Sequence, residues 1–265
     1  MIRMIVTDLD GTLLRRDKTV SNYTVDIFRR CVDADIKIVF ATARPVRAVT
    51  KCLNIDLPND ACIYHNGAIS HIGGELFKEI GIAPATVCDL LGTVSKLENM
   101  RVAVEINDVL YANFDASTIW AGIEFIMTDF SDIPNLPADK IIFITVDKAE
   151  IDAIEKILVN DLYWEISENE VLMVMNKNAR KLCAVKEIAN YFKISLAETV
   201  AFGDDYNDIE MLRECGVGVA VANAIDECKV AANDICDINE NDGVAKWIDE
   251  RILQAERSGG YDEKI

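Results

Sequence analysis

The run from Met1 to Leu14 limits the fold more than any other stretch. An apolar segment rich in isoleucine and valine stops at two aspartates, Asp8 and Asp10, followed by Gly11-Thr12. Six or seven apolar residues bounded by Asp and Gly read as a buried β-strand ending in a loop. In extended chain the side chains of residues i and i+2 point the same way. Asp8 and Asp10 are therefore expected to present two carboxylates side by side at the strand's C-terminal end. Like charges so placed raise one another's pKa and are costly unless a cation or a shared proton offsets them. The stretch predicts a bound group there.

The pattern of this first strand recurs along the chain. Ser21 reads as an N-cap, with Val25, Phe28, Cys31 and Val32 following at helical spacing. Lys37 to Ala41 is a second short strand, ending in Thr42-Ala43-Arg44-Pro45, with Pro45 placed to open a helix. Ala61 to Tyr64 is a third, ending in His65-Asn66-Gly67-Ala68. Alternating strands and helices predict a parallel sheet with helices on its faces.

After Gly81 the pattern changes. A helix is expected over 84–97, an alternating strand over 101–106, a turn at Asn107-Asp108 into 109–113, and a helical segment over 117–127. A strand over 140–146, a helix over 148–158, and a hairpin of 162–167 and 171–175 around Glu168-Asn169 follow. Adjacent hairpins alternating on one face suit an antiparallel sheet covered on one side by helices. From Asn178 the first pattern resumes. A helix runs through Leu182, Val185, Ile188 and Phe192, and a strand over 199–202 ends in Gly203-Asp204-Asp205-Tyr206-Asn207-Asp208. Another strand is expected over 216–221 and a last helix up to Leu253, with residues 258–265 expected to be disordered. The fold class is α/β: a Rossmann-like parallel-sheet core formed by residues 1–82 and 178–265, with an α+β cap, residues 83–177, inserted through hinges near Gly81–Pro84 and Asn176–Asn178.

Composition narrows the partners. The chain has 265 residues, a formal net charge of −18 and 51% hydrophobic residues, ample for a substantial core. Such acidity argues against nucleic acid or an anionic membrane as partner. Long-range repulsion of a phosphorylated substrate is screened beyond about 8 Å at physiological salt, so local cations would decide binding. The eight cysteines include no C-x-x-C pair, and the presence of only two histidines argues against a zinc site. Asp8 and Asp10 interrupt the N-terminal apolar run, against a signal peptide, and no run reaches membrane-spanning length. A reduced, cytoplasmic protein is expected.

Strand ends elsewhere carry polar residues unsuited to a core: Thr42 after the second strand, and Asp204, Asn207 and Asp208 after the one near residue 200. In open α/β sheets ligands bind outside the C-terminal strand ends, so parallel neighbours would bring these groups to one point. The acidic set has the composition of a hard-cation site, with Mg²⁺ the natural occupant where phosphate completes the shell. A calcium-binding loop fails, because its sixth and twelfth positions from Asp8 are Leu13 and Thr19, and its sixth from Asp204 is Ile209. A receiver-type signalling domain fails too, since its acceptor position at the end of the third strand holds Tyr64-His65.

Asp8-Leu9-Asp10-Gly11-Thr12-Leu13-Leu14 and Gly203-Asp204-Asp205-Tyr206-Asn207-Asp208-Ile209-Glu210-Met211-Leu212 resemble the first and last motifs of the haloacid dehalogenase-like hydrolase superfamily. The late insertion, with Asn66-Gly67-Ala68 and Asp242-Gly243-Val244-Ala245, is similar to its Cof-type sugar-phosphatase branch, subfamily IIB with a C2-type cap. The resemblance implies that Asp8 is the nucleophile, forming an aspartyl-phosphate, and that Asp10 is the general acid and base. It implies Mg²⁺ held by the Asp8 carboxylate, the Asp10 backbone carbonyl and Asp204, with Asp208 positioning the metal's water. Thr42, Ala43, Lys181 and Asn207 would bind the phosphoryl group. Arg180-Lys181-Leu182-Cys183-Ala184 fits the family's lysine with alanine three residues on, although Leu182 stands where glycine is usual, which leaves Lys177 and Lys186 as minor rivals.

The resulting expectation is a Mg²⁺-dependent phosphatase of small phosphorylated metabolites, with sugar phosphates favoured, acting as a monomer or weak homo-oligomer. A phosphomutase or phosphotransferase on the same fold is the first alternative, and a non-catalytic phosphometabolite-binding protein the second. His65 and His71 read as loop or packing residues, Trp120, Tyr163 and Trp164 as aromatic core. Arg44 is evenly balanced between supporting the phosphate and capping its loop.

Overall fold

All four residues of strand β1 (Met4–Thr7) are buried, as the apolar run requires. The computed structural model describes residues 1–52, 57–94, 100–145, 147–158, 161–167 and 171–254. Helix α1 (Asn22–Asp33) starts where the Ser21 hydroxyl accepts the Thr24 N–H at 3.0 Å, and it buries Val25, Ile27, Phe28 and Cys31. Strand β2 (Lys37–Ala41) pairs parallel to β1, and helix α2 (Val46–Cys52) follows directly on Pro45. Strand β3 (Ala61–Tyr64) continues the parallel set.

Beyond β3 the chain does something that periodicity did not predict. Strand β4 (Ile69–Ile72) turns back antiparallel to β3, and β5 (Glu75–Glu79) follows through Gly73-Gly74, both at positive φ. Strand β5 is largely exposed, so it carries no buried alternation by which to recognise it.

The inserted segment opens with α3 (Pro84–Val94), then β6 (Arg101–Ile106) and β7 (Val109–Ala112), joined over Asn107 and Asp108 at φ 50° and 61°. Two consecutive left-handed residues suit the right-handed twist of a two-residue hairpin. The helix expected over 117–127 does not form. A single 3₁₀ turn, Ala116–Thr118, is capped by the Asp115 carboxylate, and the chain extends into β8 (Ile126–Met127). Gly122 at φ +75° and the β-branched Thr118, Ile119 and Ile123 work against an α-helix here. Strand β9 (Lys140–Ile144), helix α4 (Lys148–Ile157), capped by Asp147, and strands β10 (Leu162–Ser167) and β11 (Val171–Asn176) complete the segment. Residues 95–97, Val146, the Glu168-Asn169 turn and residues 258–265 lie outside the described residues.

The last part of the chain supplies α5 (Lys181–Phe192), β12 (Thr199–Gly203), α6 (Ile209–Glu214), β13 (Val217–Val221), α7 (Asp226–Ala231), β14 (Asp234–Cys236) and α8 (Gly243–Ile248), which runs into a π-helical turn, Asp249–Leu253. Helix α7 and strand β14 are short and went unforeseen.

Two sheets result. The larger has the order β14-β13-β12-β1-β2-β3-β4-β5 and is parallel from β14 to β3. The chain leaves β1 toward β2 and β3 on one side and returns to β12, β13 and β14 on the other. A topological switch point therefore lies between β1 and β12, where open α/β sheets bind ligands. The smaller sheet has the order β10-β11-β9-β6-β7-β8. One of its faces packs Val102, Val104, Phe143 and Leu172 with Val87 and Leu90 of α3 and Ile154 of α4. The chain divides into two compact units, Met1–Phe77 with Arg180–Ile265, and Lys78–Ala179.

Candidate active site

The carboxyl ends of β1 and β12 meet at the switch point. The Asp8 N–H donates to the Phe202 carbonyl at 3.0 Å, which ties the residue after β1 to β12. The next loop turns through Gly11 at φ +80°, where a Cβ would stand 2.3 Å from Asp204 Oδ2. Only glycine lets this backbone approach the second acidic loop so closely. Thr12 then donates its hydroxyl to Asp204 Oδ1 at 2.5 Å.

Carboxylate oxygens of Asp8, Asp204 and Asp208 lie within 4.8 Å of one another. Lys181, 2% exposed, sends Nζ to Asp8 Oδ1 at 2.6 Å and to Asp208 Oδ1 at 2.7 Å. The other oxygen of Asp208 accepts the N–H groups of Asp204 and Asp205 at 2.9 and 3.2 Å. One lysine thus faces three carboxylates. Burial pushes the Asp8 carboxyl well above the usual carboxylate range, and Asp208 and Asp204 add to this while Lys181 opposes it. Burial, with Asp208 beside it, pushes Asp204 up to about 7. Lys181 is held firmly protonated, because Asp208 and Asp8 outweigh the effect of burial.

Uncompensated negative charge among oxygen donors suits a hard divalent cation, which would let all three carboxylates ionise. The donor set fits such a cation for this reason, and Asp8, Asp204 and Asp208 are the side chains that would hold it.

The Asp10 carboxylate lies outside this cluster. Arg44 grips it with Nε on Oδ2 and Nη2 on Oδ1 at 2.6 Å, and Lys18 Nζ reaches Oδ1 at 2.7 Å. Burial would raise its pKa, but the hydrogen bonds from Arg44 and Lys18 prevail and hold it below the ordinary range. The alternation that predicted two side-by-side carboxylates therefore ends at Asp8, and the following turn sends Asp10 to other partners. Arg44 thus pairs with Asp10, a contact the sequence did not indicate. Lys18 carried no sequence signal.

Thr42, at the end of β2, is buried, and its hydroxyl accepts the Arg44 N–H at 3.1 Å. That leaves the hydroxyl hydrogen free to donate to another group. Ala43 lies in the same loop. Asn207, in the 3₁₀ turn Tyr206–Asp208, donates Nδ2–H to Asn66 Oδ1 at 2.9 Å. Lys177 instead pairs with Asp161, and Lys186 lies 3.9 Å from Glu214, so neither rival occupies the place of Lys181. His65 is buried, and His71 stacks edge-on against Tyr64. Tyr163 donates its hydroxyl to the Ala179 carbonyl, and Trp164 packs on the core of the smaller sheet.

A switch-point cluster of three carboxylates and one lysine, on a parallel α/β sheet, is suited to holding a divalent cation beside an anionic group. The chain belongs to the haloacid dehalogenase-like hydrolase family, whose model matches residues 5–248. It is 28% identical over 264 residues to the 5-amino-6-(5-phospho-D-ribitylamino)uracil phosphatase YitU of Bacillus subtilis, covering 93% of this chain and 96% of that protein. It is 24% identical to an HMP-PP phosphatase of Yersinia pseudotuberculosis, covering 94% of each. Among solved structures, BT1666 of Bacteroides thetaiotaomicron, a phosphatase of the same superfamily, superposes with a TM-score of 0.84 at 24% identity, over 94% of this chain and 95% of that one. The subclass IIB sugar phosphatase BT4131 gives 0.80 at 22%, over 94% and 98%. The family and its phosphatase members make this chain a phosphoric monoester hydrolase acting on small phosphorylated substrates.

Proposed function

We propose that the chain is a Mg²⁺-dependent phosphatase of sugar or polyol phosphates, working through an aspartyl-phosphate on Asp8. The observation that carries this reading is the contact of Lys181 with both Asp8 and Asp208 inside a carboxylate cluster with too little positive charge. The name of the B. subtilis relative, which contains a phosphorylated ribityl group, supports the substrate class.

In this scheme Asp8 attacks phosphorus as the ester P–O bond breaks, and Asp10 gives a proton to the departing alkoxide. Water then attacks phosphorus, the bond between Asp8 oxygen and phosphorus breaks to free inorganic phosphate and the Asp8 carboxylate, and Asp10 takes the water's proton. Lys181 anchors one oxygen of Asp8 and offsets phosphoryl charge, while the Thr42 hydroxyl, the Ala43 N–H and Asn207 hold the phosphoryl oxygens. Bound Mg²⁺ would supply the remaining neutralisation of phosphoryl charge. Arg44 and Lys18 hold Asp10 as the carboxylate its base step needs. Its acid step needs a proton on the same group, taken up against the pull of Arg44 and Lys18. The unit Lys78–Ala179 would act as the cap that selects the leaving group, and the enzyme would serve cytoplasmic metabolites as a monomer or weak homo-oligomer.

A phosphate-release screen over sugar phosphates, polyol phosphates, nucleotides and cofactor phosphates, with Mg²⁺ and an Asp8→Asn control, tests this. Turnover of sugar or polyol phosphates that vanishes with chelator and with Asp8→Asn is the expected result. No release from any of them would overturn it.

A further inference from the structure

The turn after β3 joins parts of the site that are far apart in the chain. His65, Asn66 and Gly67 stand in succession at φ 48°, 57° and 112°. Two of them are not glycine, and a left-handed conformation costs such residues roughly 1 kcal/mol or more each. The turn makes three separate connections. The His65 N–H donates to the Arg44 carbonyl and the Asn66 N–H to the Thr42 carbonyl, both at 3.0 Å, which fixes the loop after β2. Gly67 lies so near the start of α5 that a Cβ would stand 2.5 Å from the Arg180 carbonyl oxygen, one residue before Lys181. Asn66, 2% exposed, accepts the Asn207 Nδ2–H on its Oδ1.

The last connection sets the orientation of the Asn207 carboxamide. With Nδ2 anchored on Asn66, Asn207 Oδ1 is buried and has no hydrogen-bond partner among the described residues. A buried acceptor without a partner costs about 1–3 kcal/mol. Rotating the Asn207 carboxamide alone would set its oxygen against Asn66 Oδ1, acceptor against acceptor, so the observed pairing keeps the nitrogen toward Asn66. The left-handed turn is what places the Asn66 side chain there, since the same two residues also bind the loop that carries Thr42.

We propose that Asn66 is a positioning residue that acts through Asn207, holding its carboxamide ready for the phosphoryl group of the substrate. The inference rests on the phosphatase reading above. It makes the strained turn part of phosphate recognition as well as of folding.

Asn66→Gly is the informative variant, because glycine adopts φ 57° without strain and only the carboxamide is lost. A melting transition as cooperative as that of wild type shows that the fold is kept. The inhibition constant for inorganic phosphate in the presence of Mg²⁺ is expected to rise about fivefold to tenfold, the loss of roughly one hydrogen bond's worth of positioning. In an Asn207→Ala background the same substitution should change it less than about twofold, because a residue acting only through Asn207 has nothing left to position. Wild-type phosphate affinity in Asn66→Gly, or an undiminished effect in the Asn207→Ala background, overturns the inference and leaves the phosphatase reading intact. A wild-type enzyme that releases phosphate from no monoester overturns both.

Discussion

Lys181 is the first residue of α5, where its charge faces the positive end of the helix dipole and its burial strips it of water. Nothing local favours a lysine there. Asp8 and Asp208 stabilise it, so removing the ammonium leaves two buried carboxylates without their counter-ion. Lys181→Met is expected to cost about 3–5 kcal/mol near pH 8. The loss should shrink toward pH 5, as Asp8, whose pKa burial raises, takes up a proton in its place, and urea unfolding at the two pH values measures it. At the same scale, Asp8→Asn should abolish phosphate release. Asp10→Asn should slow it by about 10²–10⁴-fold, the contribution of one general acid–base group, and less for aryl than for alkyl phosphates because a good leaving group needs little protonation. Asp8, Asp204, Asp208 and Lys181 could be named from their motifs. The partners of Asp10 could not, because Lys18 reaches it across an exposed turn whose path no pattern specifies.

Strand β9 shows how an element can carry a pH dependence of its own. Asp139 precedes it, is fully buried, and donates its N–H to the Glu105 carbonyl at 2.8 Å. Burial, then Glu105 and Glu79, raise its pKa to about 7 against the opposing charge of Lys140. The folded protein therefore binds this proton more tightly than the unfolded chain, whose carboxyl titrates near 4. Between about pH 4 and pH 7 the unfolded state holds fewer protons, so stability falls as pH rises through that window. Asp139→Asn should flatten the slope and stabilise the protein at pH 8 by up to about 4 kcal/mol, seen as a rise in melting temperature that disappears near pH 4. Helix α6 makes a different demand: a Cβ on Gly218 of β13 would lie 1.9 Å from the Leu212 carbonyl oxygen. Gly218→Ala must push helix and strand apart, and a loss of about 1–3 kcal/mol is expected, as for other overpacked sites.

At the scale of the whole molecule, a net charge of −18 opposes the approach of a phosphorylated anion. Raising ionic strength from 10 to 150 mM at fixed free Mg²⁺ should therefore increase kcat/KM, the reverse of an enzyme that attracts its substrate electrostatically. A fall in kcat/KM over that range would place a positive field at the site that outweighs the overall charge. A cation bound by Asp8, Asp204 and Asp208 in the folded state alone should raise stability by about 2.7 kcal/mol at a hundredfold excess over its dissociation constant. Thermal unfolding with Mg²⁺ and with chelator checks this, and Asp204→Asn should remove the difference.

Sequence by itself determined the parallel core and the polar residues at its strand ends. Buried parallel strands must be continuous apolar runs, and residues that interrupt them are confined to the ends. Asp8, Thr42 and Asp204 were legible for that reason. It did not determine β4 and β5, the extended chain in place of a helix over 117–127, or α7 and β14. Those elements are short or exposed, and neighbouring strands and glycine turns decide them more than their own periodicity. Only the tertiary structure decided that Asp8 and Asp10 part company, one toward Lys181 and the other toward Arg44 and Lys18. Period-two alternation holds only while the chain stays extended, and the strand ends at Thr7 with the turn opening at Leu9, before Asp10 is reached. The bond between Asn66 and Asn207, 141 residues apart in the chain, belongs to the same class of fact.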